Sequence, residues 1–149
     1  MKKISHTLFF PHGPEVVWQY LTNADLMELW LMKSDFLPVA GHQFQFRIPP
    51  MPQLEFDGVI HCKVLDIVPM KKLSYTWNSG PGDGKFTLDS VVEWTLHPKD
   101  NGTELQLQHT GFKGTEHINM FAALEGGWLQ NMNKILKLAN TATHGTTTA

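Results

Sequence analysis

The sequence predicts an α+β domain: a curved antiparallel sheet covered by one long C-terminal helix, with two short helices after the first strand. Three observations predict it. From Gly41 onward, apolar side chains recur with period two through one short segment after another. From Glu116 to Ala139 there is no proline, and Ile118, Phe121, Trp128, Met132, Ile135 and Ala139 recur at helical spacing. Ahead of the period-two region lie one alternating segment and two brief helical patterns, and a sheet so arranged can cover its apolar face only with the final helix.

Ile4, His6, Leu8 and Phe10 alternate with Lys3, Ser5 and Thr7 in a first strand that Pro11 ends. Pro14 sits where a first helical turn accepts it, and Val17, Trp18 and Leu21 form a short apolar face before Thr22-Asn23 breaks the helix. A second short helix carries Leu26, Leu29 and Trp30. The strands that follow turn inward Phe44, Phe46 and Ile48; then Ile60, Cys62 and Val64; then Leu73, Tyr75 and Trp77. Residues Asn78 to Lys85, rich in Gly and Pro, form a hairpin loop. Val92, Trp94 and Leu96 are joined to Leu105, Leu107 and His109 by the turn Asp100-Asn101-Gly102. There is no repeat and no linker, so residues 1–140 read as one domain and 141–149, almost all Thr, Ala and Gly, as a disordered tail.

A chain of 149 residues buries about 68–70 % of its extended surface, enough for a core and a cavity. Five Trp, nine Phe and seven Met supply bulky apolar groups for either. With 12 basic and 14 acidic side chains, and Arg47 the only arginine, a nucleic-acid footprint is absent. Cys62 is the sole cysteine, which excludes an intrachain disulfide and a cysteine zinc cage and makes a reducing, cytoplasmic location the expectation. His6, Pro11 and His12 interrupt any signal-like apolar run, and no segment is long enough to span a membrane.

Four stretches and a closing pair carry a family resemblance. They are Pro14-Glu15-Val16-Val17-Trp18 with Leu21-Thr22; Trp30 followed by Phe36-Leu37-Pro38-Val39-Ala40-Gly41; Leu73-Ser74-Tyr75-Thr76-Trp77; Gly102-Thr103-Glu104-Leu105 through His109-Thr110-Gly111-Phe112; and Gly127-Trp128. In this order they resemble the START/SRPBCC superfamily of lipid-transfer domains and polyketide cyclases, and within it the family similar to the C-terminal domain of the heat-shock protein 90 ATPase activator. The resemblance runs from the first strand to the last helix. It implies a helix-grip fold, a curved antiparallel sheet wrapped around the long C-terminal helix, with an elongated cavity between them that seats a small apolar or amphipathic ligand. The chain reads as that single domain, without the additional N-terminal domain of the eukaryotic activator.

Fold alone assigns no reaction, so the site residues must. Stepping from Phe121 to Trp128 at helical spacing lands on Glu125, a carboxylate on the packing face, followed by Gly126 and Gly127. Two readings stand: a pocket wall with space left open, or a Glu at the edge of the stripe beside glycines that relieve crowding. His109 shares the inward face of Leu105 and Leu107. It is either a proton-transfer group or a core histidine bonded to a backbone carbonyl. Trp30, Phe44, Phe46, Phe56, Tyr75, Trp77, Trp94, Phe121 and Trp128 either line a ligand cavity or fill the core. The loop Pro49-Pro50-Met51-Pro52 is either a flap over the entrance or a stiff connection.

Other chemistries lack their signatures. The eight histidines form no His-x-x-x-His pair or compact ligand cluster, so no metal is expected. Gly80-Pro81-Gly82-Asp83-Gly84 opens no helix and is no dinucleotide fingerprint, so no cofactor is expected. Cys62 lies on a buried strand face, where the thiol stays protonated. His61 points the other way, and Arg47 projects to solvent. The leading reading is a small-molecule-binding protein. The alternatives are a polyketide cyclase/hydratase-like enzyme using His109 and Glu125, and a regulator that docks on a chaperone; a homodimer seam is a further partner reading.

Overall fold

The computed structural model describes residues 2–113 and 117–147. In chain order the elements are β1 (Lys2–Phe10), α1 (Pro14–Thr22), α2 (Ala24–Trp30), β2 (Gln43–Arg47), β3 (Val59–Val68), β4 (Lys72–Ser79), β5 (Leu88–Lys99), β6 (Gly102–Phe112) and α3 (Ile118–Thr147). The strands form one antiparallel sheet in the order β1-β6-β5-β4-β3-β2. Consecutive strands β1 and β2 therefore lie at opposite edges, and the two short helices make the crossing between them. This is the α+β arrangement expected from the alternation and the closing helix, and the helix-grip fold that the family resemblance implies.

Local chemistry sets the element ends. Pro14 opens α1, and the Asn23 side chain accepts hydrogen bonds from the backbone N–H groups of Asp25 (2.9 Å) and Leu26 (3.2 Å), which ends one helix and caps the next. The buried faces differ in part from the expected ones. Tyr20 joins Val17 and Leu21 inside while Trp18 is half-buried, and α2 buries Met27 and Trp30. Leu29 lies two residues from Met27, about 200° round the helix, and is exposed. In the strands, the inward rows Phe44/Phe46, Ile60/Cys62/Val64, Leu73/Tyr75/Trp77, Val92/Trp94/Leu96 and Leu105/Leu107/His109 are all buried as the period predicts. Asp100 and Asn101 both take left-handed backbone (φ 48° and 63°), the twist a tight hairpin requires.

One break in the alternation shapes the site. Pairing of β1 with β6 runs from Ile4↔His109 to Lys2↔Phe112, so β6 carries one extra residue there. The bulge turns both His109 and Phe112 inward, and it contains Gly111 at φ +116°, where an added Cβ would lie 2.7 Å from the Asp89 carbonyl oxygen.

α3 lays Trp128, Met132, Ile135 and Ala139 on the concave face of the sheet, all fully or almost fully buried. Two histidines fasten its ends. His117 Nδ1 accepts from the Lys113 N–H (2.9 Å) and its Nε2–H donates to the Thr87 carbonyl (2.6 Å), while His12 Nε2 meets Asn140 Oδ1 at 2.6 Å. The helix continues through Thr147, so most of the segment expected as a disordered tail is helical. No proline interrupts it, and Thr141 Oγ1 donates to the Lys137 carbonyl one turn back. Glu116, the expected start, and residues 148–149 lie outside the described residues.

Gly111→Ala is expected to lower stability by about 1–3 kcal/mol, through strain at positive φ and the clash with β5. Chemical denaturation measures it; an unchanged midpoint would show that the bulge relaxes at no cost.

Candidate functional site

The interior divides into an aromatic plug and an open cavity. In the plug, the Trp128 ring packs against Trp77 (centroids 5.0 Å apart) and edge-on to Trp94 (5.6 Å), and Trp94 packs edge-on to Trp30 (5.8 Å). The indole N–H groups of Trp30, Trp94 and Trp128 are paired. Trp30 Nε1 donates to the Tyr20 carbonyl (2.8 Å) and Trp94 Nε1 to the Tyr75 hydroxyl (3.0 Å). Trp128 Nε1 donates to His109 Nδ1 (3.0 Å), which fixes the proton of His109 on Nε2. That N–H donates to Ser90 Oγ (2.8 Å), and the Ser90 hydroxyl donates to the Trp77 carbonyl. His109 is fully buried, and burial pulls its pKa down from 6.5 to about 3, so the ring is neutral.

Beside the plug lies a cavity of about 210 Å³. Its sheet-side wall is Ile48, Ile60, Trp77 and Ser79; its helix-side wall is Met120, Ala123, Leu124, Gly127, Trp128 and Asn131; Leu31, Met32, Met51 and Phe56 close the ends. Gly127 contributes by what it lacks, since an added Cβ at Gly126 or Gly127 would have no atom within 4 Å. The glycine pair therefore relieves no crowding; Gly127 borders the cavity, while Gly126 and Glu125 are exposed and do not line it. The 49–56 loop is a pinned connection, because Met51 N–H donates to the Phe56 carbonyl (2.9 Å) across an isolated bridge. A wider concavity of about 540 Å³ on the outer face is open, and its walls include Gln43, Gln45, His61 and Lys63. It lacks the enclosed apolar wall that small-ligand sites use.

Of the residues singled out in the sequence, Phe56, Trp77 and Trp128 line the cavity. Trp30, Phe44, Phe46, Tyr75 and Trp94 are buried in the core instead. Phe121 is half-buried and stacks edge-on with Phe112 (5.1 Å). His109 and Glu125 do not share a space. Glu125 is exposed; α3 there overhangs edge strand β1, and His6 Nε2–H donates to the Glu125 backbone carbonyl (2.8 Å) while the carboxylate turns to solvent. Burial pushes the Cys62 thiol up, out of reach as a nucleophile. The wall residues the sequence reasoning passed over include Leu124 and Asn131, which flank Gly127 at spacings of three and four along one flank of the apolar stripe. Only the polar Asn131 in that row marks it as different.

A six-stranded antiparallel sheet gripping a long C-terminal helix around an apolar cavity defines a member of the START/SRPBCC superfamily. The model of one family within it, described as activator of Hsp90 ATPase homolog 1-like protein, matches residues 11–140, and the chain belongs to that family. It is similar to protein MLL2253 from Mesorhizobium loti, with 36 % identity, a TM-score of 0.83, and coverage of 94 % of this chain and 98 % of that one. The fold is shared with the Aha1 dimer from Colwellia psychrerythraea (20 % identity, TM-score 0.74, 91 % and 93 % covered). It is also shared with DynU16, a putative protein in the dynemicin biosynthetic locus (19 % identity, TM-score 0.73, 95 % of this chain and 48 % of that one). No curated protein matches the chain. No helix among the described residues is long and apolar enough to cross a membrane.

Two outcomes follow from this geometry. Between pH 6.5 and about 3 the unfolded chain takes up a proton that folded His109 refuses, so its effect is to lower stability as pH falls, by up to about 1.4 kcal/mol per pH unit, with no effect above that window. His109→Phe flattens that profile, at a cost of about 1–3 kcal/mol for the Trp128 N–H left without an acceptor. Denaturation from pH 7 to 4 compares the two slopes, and equal slopes would exclude His109 as the titrating group. Gly126→Ala, exposed and unopposed, is expected to stabilise by about 0.5–1 kcal/mol; a lower melting temperature would show that the helix needs glycine there for its geometry.

Proposed function

We propose that the protein binds a small, mainly apolar molecule in the cavity between the sheet and the first half of α3. The mainly apolar cavity, walled by Trp77 and Trp128 and widened by Gly127, is the observation that carries this reading. Its size sets the ligand class. An apolar cavity of about 150 Å³ holds benzene, and sites for drug-sized ligands run from about 300 Å³. A cavity of about 210 Å³ accommodates a substituted six-membered ring or a short branched chain. The elongated cavity implied by the family resemblance is shortened here, because Trp30, Trp94 and Trp128 fill one end of the interior.

The cyclase/hydratase reading finds less support. Both ring nitrogens of His109 are engaged inside the core, and the Glu125 carboxylate stands outside it. A chaperone-directed role rests on the family's name, and no residue described above carries it.

Native mass spectrometry of the protein purified from its own cells, before and after denaturation, tests the proposal together with Gly127→Leu, whose side chain enters the empty space. The wild type is expected to carry an added small mass that unfolding releases, and the variant to fold without it. An adduct retained equally by the variant would place the ligand elsewhere, and a bare mass in both samples would count against resident binding.

A further inference from the structure

The cavity wall is not uniformly apolar. Ser79 closes the inward row of β4 after Leu73, Tyr75 and Trp77, and it is only 3 % exposed, yet its hydroxyl makes no hydrogen bond to any described residue. The indole N–H of Trp77, also 3 % exposed, is likewise unpaired, in contrast to Trp30, Trp94 and Trp128, each of whose N–H groups has an acceptor. Asn131, half-buried on the facing helix, leaves its amide unpaired as well. Among the described residues no side-chain polar atom is both sealed from solvent and without a partner. The Ser79 and Trp77 groups therefore open onto accessible space, and the space these two buried residues line is the cavity.

Buried polar groups are nearly always paired, and one left over in an otherwise satisfied interior calls for a partner that is not protein. Here two such groups, on Ser79 and Trp77, belong to residues that line one cavity, and the half-buried Asn131 lines it too. Trp77 can only donate, while Ser79 and Asn131 can donate or accept. The set matches a ligand atom that accepts hydrogen bonds. Among the described residues, no Lys, Arg, His, Asp or Glu lines the cavity. A charged ligand group would thus be desolvated without a counter-charge, which costs far more than a neutral dipole does.

We propose that the cavity selects an uncharged ring-sized compound bearing a carbonyl or hydroxyl oxygen, with the Ser79 hydroxyl and Trp77 N–H as hydrogen-bond donors to that oxygen and Asn131 as an adjacent polar contact. The proposal rests on the cavity-binding reading above and adds to it the polarity and charge of the ligand. It excludes fatty acids and other carboxylates as occupants.

Three probes of similar size separate the possibilities: acetophenone, a neutral carbonyl; ethylbenzene, its apolar counterpart; and benzoate, an anion. Each is titrated into the ¹⁵N-labelled wild type and Ser79→Ala, following the indole N–H signals of Trp77 and Trp128. Ser79→Ala breaks no hydrogen bond within the protein, so its melting temperature is expected to stay at or above that of the wild type. It is expected to weaken acetophenone about three- to tenfold and to leave ethylbenzene unchanged, the loss expected for one net hydrogen bond. Acetophenone shifts the Trp77 N–H signal downfield, and benzoate binds at least about a hundredfold more weakly than acetophenone. Equal effects of the substitution on both neutral probes, or benzoate binding as tightly as acetophenone, would overturn the ligand class while leaving the cavity as a binding site. If none of the three perturbs the indole signals of Trp77 and Trp128, the ligand class and the cavity reading fall together.

Discussion

The hydrogen bond from Trp128 Nε1 to His109 Nδ1 ties the long helix to the sheet, and the rest of the interior is arranged around it. It starts a relay through His109 and Ser90 to the Trp77 carbonyl, so α3, β6, β5 and β4 are joined by one chain of donors and acceptors. Each link constrains the next. Because Nδ1 must accept, Nε2 must carry the proton; because Nε2 donates, the Ser90 hydroxyl is free to donate onward. A relay this deeply buried stabilises only while every member is satisfied, which makes the orientation of the Trp128 ring specific and not merely favourable. That orientation presents one part of the ring to Trp94 and another to the cavity.

The two halves of the interior follow different rules. Around Trp30, Trp94 and Trp128 the rings interlock as protein interiors normally do. A helical turn away, Ala123, Gly127 and Ser79 supply little volume, and Met32, Met51 and Met120, which also line the cavity, are flexible side chains that adapt to what lies against them. By the relation measured for engineered cavities, about 24 cal/mol per Å³, a dry void of about 210 Å³ would cost at most roughly 5 kcal/mol, comparable to the whole stability of a small domain. Solvent entering through the mouth lowers that figure. A ligand that replaces the solvent recovers packing contacts, and its binding free energy adds to the stability of the fold.

The fold was legible because its signals are local and periodic. Alternation along each strand, the Asp100-Asn101-Gly102 turn and the stripe from Phe121 to Ala139 report which side of an element faces the core, and the sheet and helix follow from them. The site was legible only in part. Gly127 announces missing volume in the sequence, but whether the space beside it is filled depends on strands more than forty residues away. Glu125 illustrates the limit: it lies within about 40° of the buried stripe by helical geometry, yet it is exposed because the edge strand β1 ends the sheet beneath it. The His109 relay needs the β6 bulge at Gly111, and a glycine in a strand does not by itself disclose its register. Ser79 reads in the sequence as part of the Asn78 to Lys85 loop, whereas it ends strand β4, and only its missing partner sets it apart.

The most direct test of the cavity is a crystal pressurised with xenon, an apolar atom that enters dry protein cavities and scatters strongly. A strong xenon peak is predicted in the space bounded by Trp77, Trp128 and Gly127, with no displacement of the surrounding rings. Continuous side-chain density across that space, with no xenon bound there, would contradict the division of the interior into plug and cavity on which the functional reading stands.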